Sequence, residues 1–591
     1  MKKTNSFLVV LTSVMLVAGV LSFKTAKVQP VSASEQDFSV STNLESVKTI
    51  HTDRQAEYLA YDGDFDTIPE ANYPDGQKHL SDPEPVNLAW DYNVPSGKTV
   101  SRYDIVWGQK ADLSDGYTLK GTSEKSLDVY NSYLGDNYFK IVANFSDGTT
   151  DSSAIKKYTV EDIYPRNLKI EGMTNCRDMG GGRELVSGGT IKQGLLYRTS
   201  STSQWAYGRG DVPDTITTAG KEELLNRLGC KTEINVNNSG SSVQGIENYV
   251  QAYMYYDNGK HHLYRNAEPL KEVFHALADK DNYPVFYHCR IGTDRTGLCA
   301  IMISGLLGVP LNEIYKDYLF SNFGNIQEKR YIGEKAGRDN IMNYINDLKA
   351  FPGEEFHNKV YNYLLSIGIP ASELDSVIDI LVEGNKPAGN DNYQELILAK
   401  DMESEAERKT TAATSNKDPG SYYTLGADVE VSMEFDAKYT DKAYLVAYLG
   451  SSASRIDNNT KISDSIIAEL DGQEVEISDE RTFGDAGFGQ GDGRNYYSAV
   501  VLGEVDVSEG NSEIKITGKA NDLNLGAVSV IPAKQIEKAQ PQPVGPDQPT
   551  NEPNKEPANK GCGGSIIATA SLLSMLALGG FAFITIKRKE N

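Results

Sequence analysis

The chain has 591 residues, with 58 Lys and Arg against 82 Asp and Glu, a net charge of −24 and 39% hydrophobic residues. That length exceeds one ordinary domain and predicts three or four. The excess of carboxylates excludes nucleic acid as a partner of the chain as a whole, because a polyanion would be repelled. The five cysteines, Cys176, Cys230, Cys289, Cys299 and Cys562, show no regular spacing, which excludes a disulfide framework.

In chain order, Met1-Lys2-Lys3 precede an apolar run from Phe7 to Phe23, and Val31-Ser32-Ala33 has the small-x-small form of a cleavage site. Residues 1–34 therefore read as a secretory signal peptide. Residues 35–82 form a β or irregular segment. Residues 83–162 alternate apolar and polar side chains, as in Val86-Asn87-Leu88-Ala89-Trp90, Arg102-Tyr103-Asp104-Ile105-Val106-Trp107 and Tyr138-Phe139-Lys140-Ile141-Val142. Turn residues separate these runs, which predicts an all-β sandwich. The placing of Trp90, and of Tyr138 after a turn, resembles a fibronectin type III domain, with both aromatics expected in its core.

Residues 165–390 alternate strand-like and helical stretches, the pattern of an α/β domain. Here Pro284-Val285-Phe286-Tyr287 predicts a buried strand, and Leu298 to Leu307 a buried helix. Between them lies His288-Cys289-Arg290-Ile291-Gly292-Thr293-Asp294-Arg295-Thr296-Gly297. A tight loop between a strand and a helix N-terminus binds oxyanions through its amides and the helix dipole. A thiol there is favoured as thiolate, so Cys289 is the expected nucleophile. Arg295 carries a planar fork able to grip two phosphate oxygens. Gly292 and Gly297 permit close backbone approach. Thr296 is placed to donate to the sulfur as it leaves, and His288 to order the cysteine by hydrogen bonds. Arg290, Ile291, Gly292, Thr293 and Gly297 are the expected substrate-binding positions.

This loop resembles that of the protein tyrosine phosphatase superfamily, and most of all the bacterial tyrosine/lipid phosphatases, whose loop reads His-Cys-x-x-Gly-Lys-Asp-Arg-Thr-Gly. Upstream, Asn175-Cys176-Arg177-Asp178-Met179-Gly180-Gly181 and Gly194 to Ser200 are similar to that family's N-terminal signature. Downstream, Gly308-Val309-Pro310, Asp317-Tyr318-Leu319-Phe320-Ser321 and the stretch from Tyr363 to Val382 match in order. Thr293 stands where the family carries Lys, and Ile234-Asn235-Val236-Asn237 where it carries Asp-Leu-Arg. Loss of the Lys weakens the expectation of phosphoinositide substrates.

A general acid must protonate the leaving oxygen. Relatives place an Asp about thirty residues before the Cys, and Asp257 lies 32 positions before Cys289, ahead of Asn258-Gly259. Asp294 is the rival. It could serve as a carboxyl raised by the neighbouring dianion, or as a salt bridge that orients Arg295. His261-His262 lack a third ligand, so no metal site and no cofactor are expected.

Residues 396–535 are again strand-rich. Val429 to Phe435 and Lys442 to Leu449 predict strands, and Val505 to Ile516 resembles the late hairpin of a jelly-roll carbohydrate-binding module. Gly484, Asp485, Gly487, Gly489, Gly491, Asp492 and Gly493 form a Gly-rich loop, expected to be a solvated connection rather than a sugar or calcium loop.

Residues 536–562 are a Pro-rich linker. The predominantly apolar run 563–586, 24 residues long, suffices to span a bilayer, and the tail 587–591 is basic and cytoplasmic. The arrangement resembles Gram-positive surface proteins without a Leu-Pro-x-Thr-Gly sorting motif, which implies a membrane anchor. An exported thiolate enzyme suits a reducing habitat.

The multidomain α/β phosphatase flanked by sandwiches is thus expected to hydrolyse phosphate monoesters at the cell surface. Phosphotyrosine proteins come first, with dual or lipid specificity next and inositol phosphates as an alternative. A phosphate-binding adhesin is the competing non-enzymatic reading. Partners would be a phosphorylated protein or small phosphate ester, a glycan on residues 396–535, and the membrane.

Overall fold

The structure is a computed structural model. It describes residues 38–40 and 46–533 apart from 75, 77–79, 204–214, 257–262, 264–265, 334–340, 390–394, 411–420, 452–456, 487, 489–495 and 520–522. The segments 1–34, 536–562 and 563–591 lie outside these residues, as do Asp257, His261, His262, Gly487, Gly489, Gly491, Asp492 and Gly493. Among the described residues no helix is long and apolar enough to cross a membrane.

The apolar run before Cys289 becomes the strand Val285–His288, buried on both faces. It is the middle strand of a five-stranded sheet. Parallel strands Leu196–Thr199 and Thr232–Asn235 flank it, followed outward by Arg177–Asp178 (antiparallel) and Asn248–Gln251 (parallel). Parallel strands covered on both faces carry apolar or tightly satisfied side chains throughout, and both flanking strands are buried along their length.

The helix after the loop is longer than the sequence pattern indicates. It runs Asp294–Leu306 and is buried from Thr296 onward. Its first turn therefore includes Asp294, Arg295 and Thr296, whose polarity hid the start. Helices Leu311–Phe320, Phe356–Ser366 and Ala371–Leu381 complete the layers around it.

The first sandwich has sheets of three and six strands. Two of its strands, Phe38–Val40 and Ser46–Val47, come from the segment expected to be a separate region. Between them and the strand Val86–Tyr92, the chain leaves the sandwich and straps across the α/β domain. Helix Asp53–Leu59 is closed by a capping box at Thr52 and Gln55, and Tyr58 packs edge-on against Phe65, Phe320 and Phe323. Trp90 lies in the sandwich core as expected, but Tyr138 does not. From Asn137 on, strand Gly135–Phe145 buries its odd-numbered residues, so Phe139 and Ile141 face inward and Tyr138 faces outward.

The second sandwich has sheets of six and four strands. The expected hairpin at Val505–Ile516 is not one. Tyr496–Val507 pairs in the larger sheet and Gly510–Gly518 in the smaller, and the chain passes between sheets at Gly510, whose φ is +121°. Strand Leu523–Pro532 is buried on both faces. One face lines the sandwich interior. The other brings Ala527 and Ile531 into the same apolar core as Tyr361, Leu364 and Leu365 of the α/β domain.

Candidate active site

Residues 289–293 turn between the central strand and the long helix. The Cys289 backbone N–H donates to Thr296 Oγ1 at 2.7 Å, which closes the turn. Gly292 has φ +74°, and a Cβ there would stand 2.6 Å from the Thr199 carbonyl oxygen. Glycine is required on both counts. The loop's carbonyl side is tied from behind. Asn175 Nδ2 donates to Gly292 O at 2.8 Å and to Thr293 Oγ1 at 3.1 Å, and Arg198 Nη2 donates to Gly292 O at 3.0 Å.

These donors belong to a buried charged cluster. Arg177 Nε donates to Asp317 Oδ1 at 2.7 Å, and Arg198 Nη1 pairs with Asp317 Oδ2. Tyr164 OH adds a bond to Asp317 Oδ1 at 2.6 Å, and Arg177 Nη1 donates to Asn175 Oδ1. Burial alone would raise the Asp317 carboxyl. The guanidiniums of Arg177, Arg198 and Arg183 outweigh it and hold the group far below the usual carboxylate range. The three sequence segments quoted above, around Asn175, Arg198 and Asp317, are therefore the parts of one support beneath the loop.

In front of the loop is a cavity of about 600 Å³. Cys289, Arg290, Ile291, Asp294 and Arg295 line it from the loop and helix, with Arg330 and Gln327 on one side and Ser201, Ser203 and Asn237–Gly240 on the other. Open α/β sheets bind ligands outside the carboxyl ends of their strands, and the cavity sits there.

Thr293, expected as a binding position, is fully buried, and its hydroxyl faces Asn175. Gly297 lies against the Tyr318 ring, 2.9 Å from where a Cβ would be. Asp294 does not make the pair with Arg295 that is one of the two readings open for it. Both its oxygens are taken by Arg330, at 2.8 and 3.2 Å. Arg295 Nη1 instead donates to Asn237 Oδ1 at 2.6 Å. His288 is buried, with Nδ1 2.9 Å from the Cys289 carbonyl and Nε2 2.9 Å from Glu233 Oε1. Tyr256, the chain neighbour of Asp257, lines the cavity.

Two of these residues, Glu233 and Arg330, escaped the sequence reading, and Asn237 was named there only as a departure from the family's Asp-Leu-Arg. Glu233 carried a signal, a carboxylate inside a fully buried strand, which demands a partner. Arg330 carried none that is local.

The four described cysteines are free thiols. Burial pushes Cys299 up to about 12 and also raises Cys176 and Cys230 well above the ordinary thiol value. None of these three lines the cavity. Among the described residues no group of three His, Cys, Asp or Glu side chains is arranged to hold a metal ion.

A model of the tyrosine phosphatase family matches residues 168–365. A tyrosine-protein phosphatase of Nostoc commune is 40% identical over 52 residues, and the match covers 9% of this chain and 18% of that protein. The chain thus spans less than a fifth of that curated relative.

Among solved structures, a family 35 carbohydrate binding module from Clostridium thermocellum is 16% identical, with a TM-score of 0.18, covering 24% of this chain and 99% of that one. A GH26-CBM35 β-(1,4)-mannanase of Podospora anserina is 14% identical, with a TM-score of 0.18, covering 26% and 29%. Residues 168–365 are similar to the tyrosine phosphatase family, and that likeness, with the Nostoc match, supports a phosphatase.

Proposed function

We propose that this chain is an exported, surface-held phosphatase that hydrolyses phosphate monoesters through a cysteinyl-phosphate on Cys289. The observation that carries the reading is the shared cavity of Cys289 and Arg295, at the end of the central strand and the start of a buried helix. Cys289 Sγ attacks phosphorus, and the P–O bond to the leaving group breaks as that oxygen takes a proton from an acid. Water then attacks phosphorus, the S–P bond breaks, and inorganic phosphate and the thiol are released.

Arg295 neutralises the equatorial oxygens. Thr296, whose Oγ1 accepts the Cys289 amide, keeps its hydroxyl hydrogen for the departing sulfur. The acid is assigned to Asp257. Asp294 has both oxygens on Arg330 and is built to hold that guanidinium.

Phosphotyrosine proteins are the first substrate class. Inositol phosphates are the second, favoured by Arg330 as a third guanidinium on the cavity wall beside Arg290 and Arg295. Export rests on residues 1–34 and surface retention on 563–586. Residues 396–535 are read as a glycan-binding module.

The test is turnover by the purified chain, under reducing conditions, of an aryl phosphate, a phosphotyrosine peptide and inositol hexakisphosphate, beside Cys289→Ser. Turnover by the parent and none by Cys289→Ser is expected. No turnover of any substrate by the parent defeats the reading and leaves the phosphate-binding adhesin.

A further inference from the structure

We infer that Asn237 is a positioning residue for Arg295: a neutral acceptor that aims the guanidinium without cancelling its charge. The inference rests on the phosphatase reading for its consequence in turnover, but on geometry alone for its consequence in anion binding.

Among the described residues Arg295 makes one hydrogen bond, from Nη1 to Asn237 Oδ1 at 2.6 Å. Its Nε is buried with no hydrogen-bond partner among the described residues. A guanidinium grips an oxyanion through two parallel N–H groups. With Nη1 parked on Asn237, the Nε–Nη2 edge is left for two phosphate oxygens. The plane of the fork is further limited by the Tyr253 ring, 5.6 Å from the guanidinium carbon.

Asn237 is itself locked. Its backbone N–H donates to Asn235 Oδ1 at 2.8 Å, and its Nδ2 donates to Ser239 O at 3.1 Å. Its carbonyl accepts Gln251 Nε2 at 2.6 Å, and Gln251 also holds the Asn235 carbonyl at 2.9 Å. Asn235 Nδ2 reaches Ser239 O and Tyr249 OH. Because the donor end of the Asn237 amide is committed to Ser239, its oxygen is the end presented to Arg295.

The choice of amide over carboxylate matters. A carboxylate at this place would hold Arg295 more tightly but compete with the dianion for the same charge. Among the described residues that line the cavity one is an acid, Asp294, and it is occupied by Arg330. Neutral Asn237 therefore leaves Arg295 with its full charge for the substrate.

The experiment uses the full chain carrying Cys289→Ser, titrated calorimetrically with inorganic phosphate, and adds Asn237→Ala or Asn237→Asp. Turnover of an aryl phosphate is measured in parallel on the same changes with Cys289 intact. Asn237→Ala should weaken phosphate by about three- to tenfold through lost aim, and Asn237→Asp by more than tenfold through lost charge. Asn237→Asp should also raise KM by a larger factor than it lowers kcat.

A merely structural Asn237 gives the opposite order, because Asp matches its shape and Ala does not. That order, or phosphate affinity unchanged in both variants, overturns the inference. Thermal midpoints of both variants are recorded, and affinity is compared below the lower midpoint so that unfolding cannot imitate either result. If phosphate binding follows the expected order while the intact chain turns over nothing, the phosphatase reading falls and the positioning role stands.

Discussion

Asp317→Asn tests the support beneath the loop. The Asp317 side chain is 4% exposed, and its partners Arg177 and Arg198 are 1% and 0% exposed. The amide keeps the shape but leaves two guanidinium charges buried without a counter-charge. Removing one partner of a buried ion pair costs about 3–5 kcal/mol, a large part of the roughly 5–15 kcal/mol that holds a domain folded.

The sign of the pH dependence follows from the depressed carboxyl. Unfolded Asp titrates near 3.9, and folded Asp317 lies far below that range. Between the two values the unfolded chain binds more protons, so stability rises with pH there. Asp317 thus contributes fully above about pH 5, and the contribution is lost as pH falls through and below about pH 4. Urea unfolding followed by circular dichroism should show the parent ahead of Asp317→Asn by that margin at pH 7, with the gap narrowing below about pH 4. A gap under about 1 kcal/mol at pH 7, or one that widens in acid, refutes the reasoning.

Gly292→Ala should cut kcat/KM for an aryl phosphate at least a hundredfold, since its Cβ meets the Thr199 carbonyl at 2.6 Å in a left-handed backbone. Steady-state kinetics check this, and a loss under tenfold contradicts the packing argument. Tyr58→Ala should destabilise by about 3–5 kcal/mol, because it empties an aromatic cluster with Phe65, Phe320 and Phe323 and drops the bond from its hydroxyl to Lys316 O at 2.8 Å. Denaturant midpoints measure it, and a neutral result means that the strap does not hold the domain. Iodoacetamide at neutral pH should label Cys289 and spare Cys176, Cys230 and Cys299, whose thiols burial has raised. Mass spectrometry with and without inorganic phosphate reads the outcome, and modification of Cys299 ahead of Cys289 would count against the site.

What was legible in the sequence was local. The central strand, the loop with Cys289 and Arg295, and the order of strands and helices all follow from short-range pattern and turn chemistry. Asn175 and Asp317 were visible as motif residues but not as neighbours, because 142 positions separate them and only folding brings both to Arg177. The partner of Asp294 was hidden for the same reason, since Arg330 lies 36 positions away and Arg295 lies next to it. Three fully buried arginines, Arg166, Arg177 and Arg198, are among the largest buried side chains, against the ordinary preference of arginine for the surface. Tyr138 went wrong by one residue of register, which in a strand exchanges inside for outside. The crossing at Gly510 looked like a hairpin because a two-residue link between strands is the same length in either case.

The doubly buried strand Leu523–Pro532 bears on how the enzyme reaches its targets. A module on a loose tether lets a catalytic head sweep a volume set by linker length. Here the sandwich and the α/β domain share one apolar core through that strand, and Tyr448 OH and Ser366 Oγ meet across the seam at 2.6 Å. If residues 396–535 bind a glycan as proposed, it would lie on the four-stranded sheet or the loops, at a fixed distance and angle from Cys289. The pair would act as a gauge, cleaving phosphates at one set reach from the anchoring point and ignoring identical groups nearer or farther along the same surface.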